Sequence, residues 1–434
     1  MSELQVKTLS AQIAGARFRR WASLISLSIA LAVGVLASIM FASVNRAPGE
    51  TGLAAIGLLQ TGSLANPYFL PTGPTAHVSP LNGGLIAAIY AVFGINSDLS
   101  RIVLGLAACA AYLACTMMTI SFCNRYRTSA LVMVLLVTCL LPFTLFENVV
   151  GWRQWDQPYA ALLLMAGFWI CMSEPLQSPR SAIRRLPNDI VLGGLAGLAC
   201  LTSPSVVPAL LVGWAITLWR QIGRSGSAFR IFRSLALMVI LVFPWGLRNK
   251  ADLGAWIFTR SNFGLELAVG NNDTATGRSP LDERIHPHDS EAAARRVQEI
   301  GEVGYMAEMS NQASDWIVRH PGRFIALTLT RLRLILMPPP DFVGWLPLGA
   351  AWVSGLALVA FNLAKLTAIA ATIIRRDRVL MWLTFCFLPL LPYAATHVGL
   401  RYLYPVFFPS LCLIATFIDQ VSRRTRSAGS PQDS

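Results

Sequence analysis

The run WASLISLSIALAVGVLASIMFAS, residues 21–43, decides how this 434-residue chain is read. It carries no charged residue and exceeds the roughly 20 apolar positions that a helix needs to cross a bilayer core. Lys7, Arg17, Arg19 and Arg20 stand just before it. A secretory signal has a shorter apolar core and a small-residue cleavage site, so the segment reads as an uncleaved anchor with its basic flank in the cytoplasm.

The rest of the composition agrees. Hydrophobic residues make up 54% and charged residues 13%, with a mean hydropathy of +0.54, too apolar for a soluble globule with a polar skin. The net charge of +13 sits in short segments between apolar stretches, the positive-inside pattern rather than a nucleic-acid face. All eight cysteines lie in or beside apolar stretches, which argues against a disulfide framework.

Further spans are predicted at 101–122, 128–146, 157–173, 234–247, 345–373, 379–396 and 402–420. The apolar stretch 190–219 is broken by Thr202-Ser203-Pro204 and reads as two short helices. Two segments are ambiguous. Leu81–Gly94 is short for a span, and 322–337 carries Arg331 and Arg333 at its middle, where a central arginine costs at least about 2.5 kcal/mol. Placing both at the membrane surface puts every strongly basic loop on one side. The fold class expected is an all-α polytopic membrane protein of about ten transmembrane helices, with juxtamembrane helices, a small extracytoplasmic helical region and both termini inside. The expected divisions are 1–247, 248–344 and 345–434.

The outer face then receives 44–100, 248–344 and the turns near 147–156 and 397–401. These hold nearly all the acidic residues and His77, His286, His288 and His397. Glu50, in Ala47-Pro48-Gly49-Glu50-Thr51-Gly52, is a candidate general base, because a partly desolvated carboxylate gains basicity; the plain alternative is a solvated loop acid. Thr72, Thr75 and His77 offer donors for a phosphate or a metal. Arg248, at the end of a span, has the planar fork that suits a phosphate, although interfacial arginines also snorkel. Thr396-His397 through Arg401-Tyr402 repeats that theme. Arg260, Asn262, Glu266, Asn271, Asn272 and Asp273 form a polar cluster suited to sugar hydroxyls, and Asp156 lies between aromatic residues.

These features, in this order, resemble membrane glycosyltransferases of the GT-C superfamily, particularly bacterial glycosyltransferase family 39 and the protein O-mannosyltransferases. The resemblance rests on the acidic motif after the first span and on Thr72-Gly73-Pro74-Thr75-Ala76-His77-x-x-Pro80. It continues through Pro244-Trp245-x-x-Arg248-Asn249, Arg260 to Leu267 with Gly270-Asn271-Asn272, His320-Pro321-Gly322-Arg323-Phe324, and His397-x-x-x-Arg401-Tyr402-x-x-Pro405. It implies a bacterial inner-membrane enzyme of glycan biosynthesis, moving a sugar from a polyprenyl-phosphate donor to a glycan, lipid or protein acceptor on the extracytoplasmic side, with inversion. Under that resemblance Glu50 is the catalytic base and Arg248, Arg401 and His77 hold the donor phosphate. Thr75, Asp156, Arg260, Asn262, Glu266, Asn271 and His397 would contact substrate, and a divalent metal is an option. Many members carry Asp where this chain has Gly49, which leaves an inactive GT-C-like scaffold as an alternative; a lipid-linked glycan flippase or transporter is another.

The charge pattern makes a direct prediction. A fluorescent protein fused to the C-terminus will fluoresce and alkaline phosphatase fused there will be inactive; the reverse result contradicts the topology.

Overall fold

The computed structural model describes residues 3–44, 47–125, 144–173, 188–219, 227–278, 285–339, 348–376 and 378–428. The described residues form helices, with isolated bridges at Ala65–Pro74 and Arg278–Val398. In chain order the helices are α1 (Glu3–Met40), α2 (Glu50–Thr61), α3 (Pro80–Phe93), α4 (Asp98–Arg125) and α5 (Gln157–Ser173). Next come α6 (Asn188–Thr202), α7 (Val207–Trp219), α8 (Ser227–Leu253), α9 (Phe263–Gly270) and α10 (Glu291–Arg319). The last are α11 (Pro321–Leu336), α12 (Leu348–Arg375), α13 (Val379–Cys386) and α14 (Phe407–Ala428).

Among the described residues five segments are long and apolar enough to cross a membrane: Arg20–Met40, Asp98–Arg125, Phe229–Leu253, Val353–Arg375 and Leu400–Ser422. Shorter apolar helices at Gln157–Met172, Asn188–Thr202, Pro204–Trp219 and Val379–Ala395 occupy the other expected places. The expected span 128–146 lies outside the described residues except for 144–146. Leu31, Ile39 and Met40 on α1 and Leu356 and Ile374 on α12 stand exposed, as side chains that face lipid do. The chain is an integral membrane protein. None of the described cysteines forms a disulfide.

Local chemistry explains the breaks. The turn Thr202-Ser203-Pro204 separates α6 from α7, as the proline predicts. α3 has 14 residues, too few for a span, and packs Ile86 and Tyr90 with Ala55 and Leu104 of α2 and α4. The span ending near residue 247 in the sequence reading continues through Pro244 to Leu253. Side chains of this extension fasten loop carbonyls: Trp245 Nε1 donates to Thr259 O at 2.7 Å and Asn249 Nδ2 to Ile257 O at 2.7 Å.

Buried arginines fix the connections on the side that carries Glu50. A helix leaves its last carbonyls unpaired, and the end of α1 is served by two guanidinium groups. Arg101 Nε donates to Ala42 O at 2.7 Å, while Arg153 donates to Phe41 O and Ala42 O, both at 3.2 Å, and to Val44 O. The chain's exit from α1 is thereby set a few residues before Glu50.

Arg331 of α11 does the same elsewhere. It is fully buried and donates to Gly270 O, to Asn271 Oδ1 at 3.1 Å and to Ala395 O at 3.1 Å. Kept out of lipid, this arginine ties the end of α9 to the turn before His397. Approach there is close, since a Cβ on Gly270 would come within 2.1 Å of Thr396 O. Replacing Arg331 by Met will orphan these acceptors, and with about 1–3 kcal/mol per unsatisfied buried group the thermal midpoint in detergent will fall markedly. Arg331→Lys will recover only part, because an ammonium lacks the planar fork. A methionine variant as stable as the parent contradicts this role.

Candidate functional site

The loop from Leu64 to Ser79 reaches the site by doubling back on itself. Asn66 N–H donates to Gly73 O at 2.9 Å and Thr75 N–H to Leu64 O at 2.8 Å, and Gly73 takes a positive φ of 84°, which a glycine adopts freely. Glu302 of α10 then grips the loop. Its carboxylate accepts from the Thr75 hydroxyl, from Ala76 N–H at 2.8 Å and from the Ser261 hydroxyl at 2.7 Å. Gly301, at φ 75°, kinks α10 immediately before it. Thr75 Oγ1 in turn accepts His77 N–H at 2.9 Å. His77 is thus held through its backbone.

Its ring meets two partners distant in sequence. Glu50, the first residue of α2, brings Oε1 to 3.2 Å from His77 Nε2 and 3.2 Å from His286 Nδ1. All three side chains are buried. Burial alone would raise the Glu50 carboxyl, but His77 and His286 outweigh it and hold Glu50 well below the usual carboxylate range. Burial would lower the His77 imidazole, yet Glu50 reverses that and raises it. Tyr68, its ring centroid 5.2 Å from that of His77, is pushed well above its ordinary value by burial and by the charges of Glu302 and Glu50.

Beside this cluster lies a cavity of about 360 Å³, at the small end of ordinary ligand sites. Its walls come from the start of α2, the turn before α5, the α6–α7 break, the segment before and into α9, and residues 392–402. Glu50, Asp156 and Glu266 supply carboxylates; Arg260 and Arg401 supply guanidinium groups. Arg260 Nε donates to His77 O at 2.8 Å, and its Nη1 lies 3.6 Å from Asp156 Oδ2. Arg401 lies over the rings of Trp155 and Tyr402, at 4.3 and 4.8 Å from their centroids, and donates to the Tyr402 hydroxyl at 2.6 Å. His397 Nε2 is 3.3 Å from that hydroxyl and 3.8 Å from Glu266 Oε2. Asn262 Nδ2 donates to Glu266 Oε1 at 2.9 Å.

Of the residues singled out in the sequence, Glu50, Asp156, Arg260, Asn262, Glu266, His397 and Arg401 share this cavity. Thr75, His77 and Asn271 stand behind its walls: Thr75 bonds Glu302, and Asn271 Nδ2 donates to Leu267 O and Ala395 O, both at 2.8 Å. Arg248 is elsewhere. It donates to Thr75 O and Leu64 O, both at 2.8 Å, and to Ser63, and it pairs with Asp252 at 3.0 Å, so its guanidinium braces the loop instead of facing the cavity.

Several contributors carried no signal strong enough to single out. Trp155, Tyr393 and Tyr402 provide aromatic walls, and Ser203 and Ser205 provide hydroxyls at the helix break. His286 and Glu302 reach the site only through tertiary folding; the sequence placed His286 on the outer face with the other histidines but linked it to nothing there. Gly49, where related motifs carry Asp, is not forced by space, since a Cβ there would meet Trp155 at an ordinary 3.6 Å.

The cations can hold a phosphate, the rings can stack on a sugar, and the carboxylates can accept sugar hydroxyls or take a proton. Neither a known protein family nor a curated protein sequence matches the chain. Among solved structures it is similar to the archaeal oligosaccharyltransferase AglB from Archaeoglobus fulgidus, solved in complex with an inhibitory peptide and a dolichol-phosphate. The TM-score is 0.52 at 13% identity, over 96% of this chain and 53% of that one. The chain thus spans about half the length of the structure it matches, and the likeness does not single out family 39. What the comparison establishes is the architecture alone: nearly the whole chain shares the helical membrane fold of that structure.

Proposed function

We propose that this chain is a glycosyltransferase that moves a sugar from a polyprenyl-phosphate-linked donor to an acceptor hydroxyl in the cavity, on the face that the basic loops assign to the outside. The observation that carries the reading is the convergence of Arg260 and Arg401 with three carboxylates and an aromatic wall in one cavity of a GT-C fold. Its size suits a single sugar and its phosphate better than a long glycan. The lipid-linked donor is in keeping with the dolichol-phosphate bound by AglB.

The chemistry is a single displacement. The acceptor oxygen bonds to the anomeric carbon as the bond from that carbon to the phosphate oxygen breaks, inverting the centre and releasing polyprenyl phosphate. Arg401, desolvated against Trp155 and Tyr402, and Arg260 stabilise the charge that gathers on the leaving phosphate. The acceptor proton passes to a carboxylate. Glu50 was the sequence candidate, but its Oε1 is shared between two imidazoles. Asp156 is the better base. It is buried in the cavity wall, and its Oδ2 has no hydrogen-bond partner among the described residues, with Arg260 at 3.6 Å.

The test is transfer in liposomes from synthetic polyprenyl-phosphate sugars. Asp156→Asn will lower kcat by about 10²–10⁴-fold, the usual range for general-base catalysis, with little change in donor KM. An active Asp156→Asn beside an inactive Glu50→Gln returns the role of base to Glu50. If the parent chain neither binds nor transfers from any such donor, the proposed function fails.

The two arginines should separate as well. Arg401→Ala will weaken donor binding and transfer together, whereas Arg248→Gln will lower the thermal midpoint and leave the donor KM of the folded fraction near that of the parent. Equal effects on KM would place Arg248 at the phosphate after all.

A further inference from the structure

We propose that Glu50, His77 and His286 together bind one divalent cation of the zinc class, with Glu50 serving as its ligand. One carboxylate oxygen and one nitrogen from each imidazole lie within 4.8 Å of one another, and all three residues are buried. They come from the start of α2, the loop before α3 and the segment before α10, so a single ion would join three parts of the chain. The inference concerns the site proposed above for sugar transfer and deepens that reading.

The ring atoms are arranged as ligands more than as a hydrogen-bonded triad. Among the described residues the ring nitrogens of His77 have no hydrogen-bond partner of regular geometry, and Nε2 comes within 3.2 Å of Glu50. Nδ1 of His286 accepts the His288 backbone N–H at 3.1 Å. The same nitrogen lies 3.2 Å from the Glu50 oxygen. A cation bound between them would take the place of the imidazole charge that otherwise offsets the carboxylate. The Tyr68 hydroxyl, buried in the same cluster, also has no hydrogen-bond partner among the described residues.

The donor set decides which ion fits. Two imidazoles and one carboxylate suit zinc or cobalt, whereas magnesium and calcium demand oxygen ligands in larger number. Other nearby acids are otherwise engaged: Glu302 holds Thr75, Ala76 and Ser261. The outer contacts are those of a built site. His77 O receives Arg260 Nε and His77 N–H donates to Thr75 Oγ1, which fixes the residue. Three protein ligands leave a fourth position for water or substrate. Since Glu50 also lines the cavity, that position is adjacent to the cavity, and the ion would add positive charge near the donor phosphate.

The test uses the full chain in detergent, stripped with a chelator and titrated with Zn²⁺, Co²⁺, Mn²⁺ and Mg²⁺ in turn. Expected are one Zn²⁺ per chain by elemental analysis and a visible Co²⁺ absorption band typical of low-coordinate nitrogen and oxygen ligation. His77→Gln and His286→Gln should each weaken Zn²⁺ binding by more than about a hundredfold, beyond the 10–100-fold typical of outer-shell partners. His320→Gln, at an exposed position between α10 and α11, should leave binding unchanged. The inference is overturned if the unmutated chain binds neither Zn²⁺ nor Co²⁺ stoichiometrically, if binding survives both histidine substitutions, or if Mn²⁺ or Mg²⁺ displaces Zn²⁺. The unmutated chain's stoichiometry and spectrum need no variant to fold. A chain that binds Zn²⁺ and transfers no sugar defeats the proposed function alone; one that transfers sugar undiminished after chelation, with no metal bound, defeats this inference alone.

Discussion

The arrangement depends on buried arginines donating to backbone carbonyls. Near a bilayer there is little water to satisfy the ends of broken helices, and an unpaired buried carbonyl is costly. A guanidinium group presents several donors in one plane and keeps its charge under nearly all conditions, so a single side chain can serve several helix ends at once. Arg101 and Arg153 take the end of α1, and Arg331 takes the end of α9 with the turn before His397. Arg248 takes the carbonyls of Leu64 and Thr75. Each fastening lies next to a segment that lines or backs the cavity. Those charges hold the frame, while Arg260 and Arg401 face the space inside it.

That division explains what the sequence made legible and what it hid. Apolar length and basic flanks reported the spans, because both follow from the bilayer itself. The break at Thr202-Ser203-Pro204 was readable because proline acts locally. Whether an arginine faces a ligand or a carbonyl is a tertiary fact. Arg248 and Arg401 both follow apolar stretches in the sequence, yet one braces a loop and the other lines the cavity. Arg331 argued against a membrane span, and α11 is not long and apolar enough for one; which carbonyls the buried guanidinium serves is set by tertiary packing. His286 lies far from Glu50 along the chain, and no local pattern links them.

The position of Glu50 was visible from its place after the first span, but its surroundings were not. Two imidazoles against one carboxylate oxygen make it a poor candidate for an unencumbered base and a good one for a ligand. Asp156, readable only as an acid beside Trp152 and Trp155, gains weight from burial in the cavity wall beside Arg260. Gly49 has room for a larger side chain, so glycine there is not imposed by packing; beside Glu50, the other cavity carboxylates, Asp156 and Glu266, come from distant segments.

On the proposed function, the cavity between Arg260 and Arg401 receives a lipid-linked phosphate. A cryo-electron microscopy map of the chain in lipid nanodiscs with a polyprenyl phosphate will then show phosphate density within hydrogen-bond reach of Arg260 or Arg401, on the same side as Asp156 and with the lipid tail running toward the membrane. Phosphate density at Arg248, or a cavity left empty while lipid binds elsewhere, would contradict it.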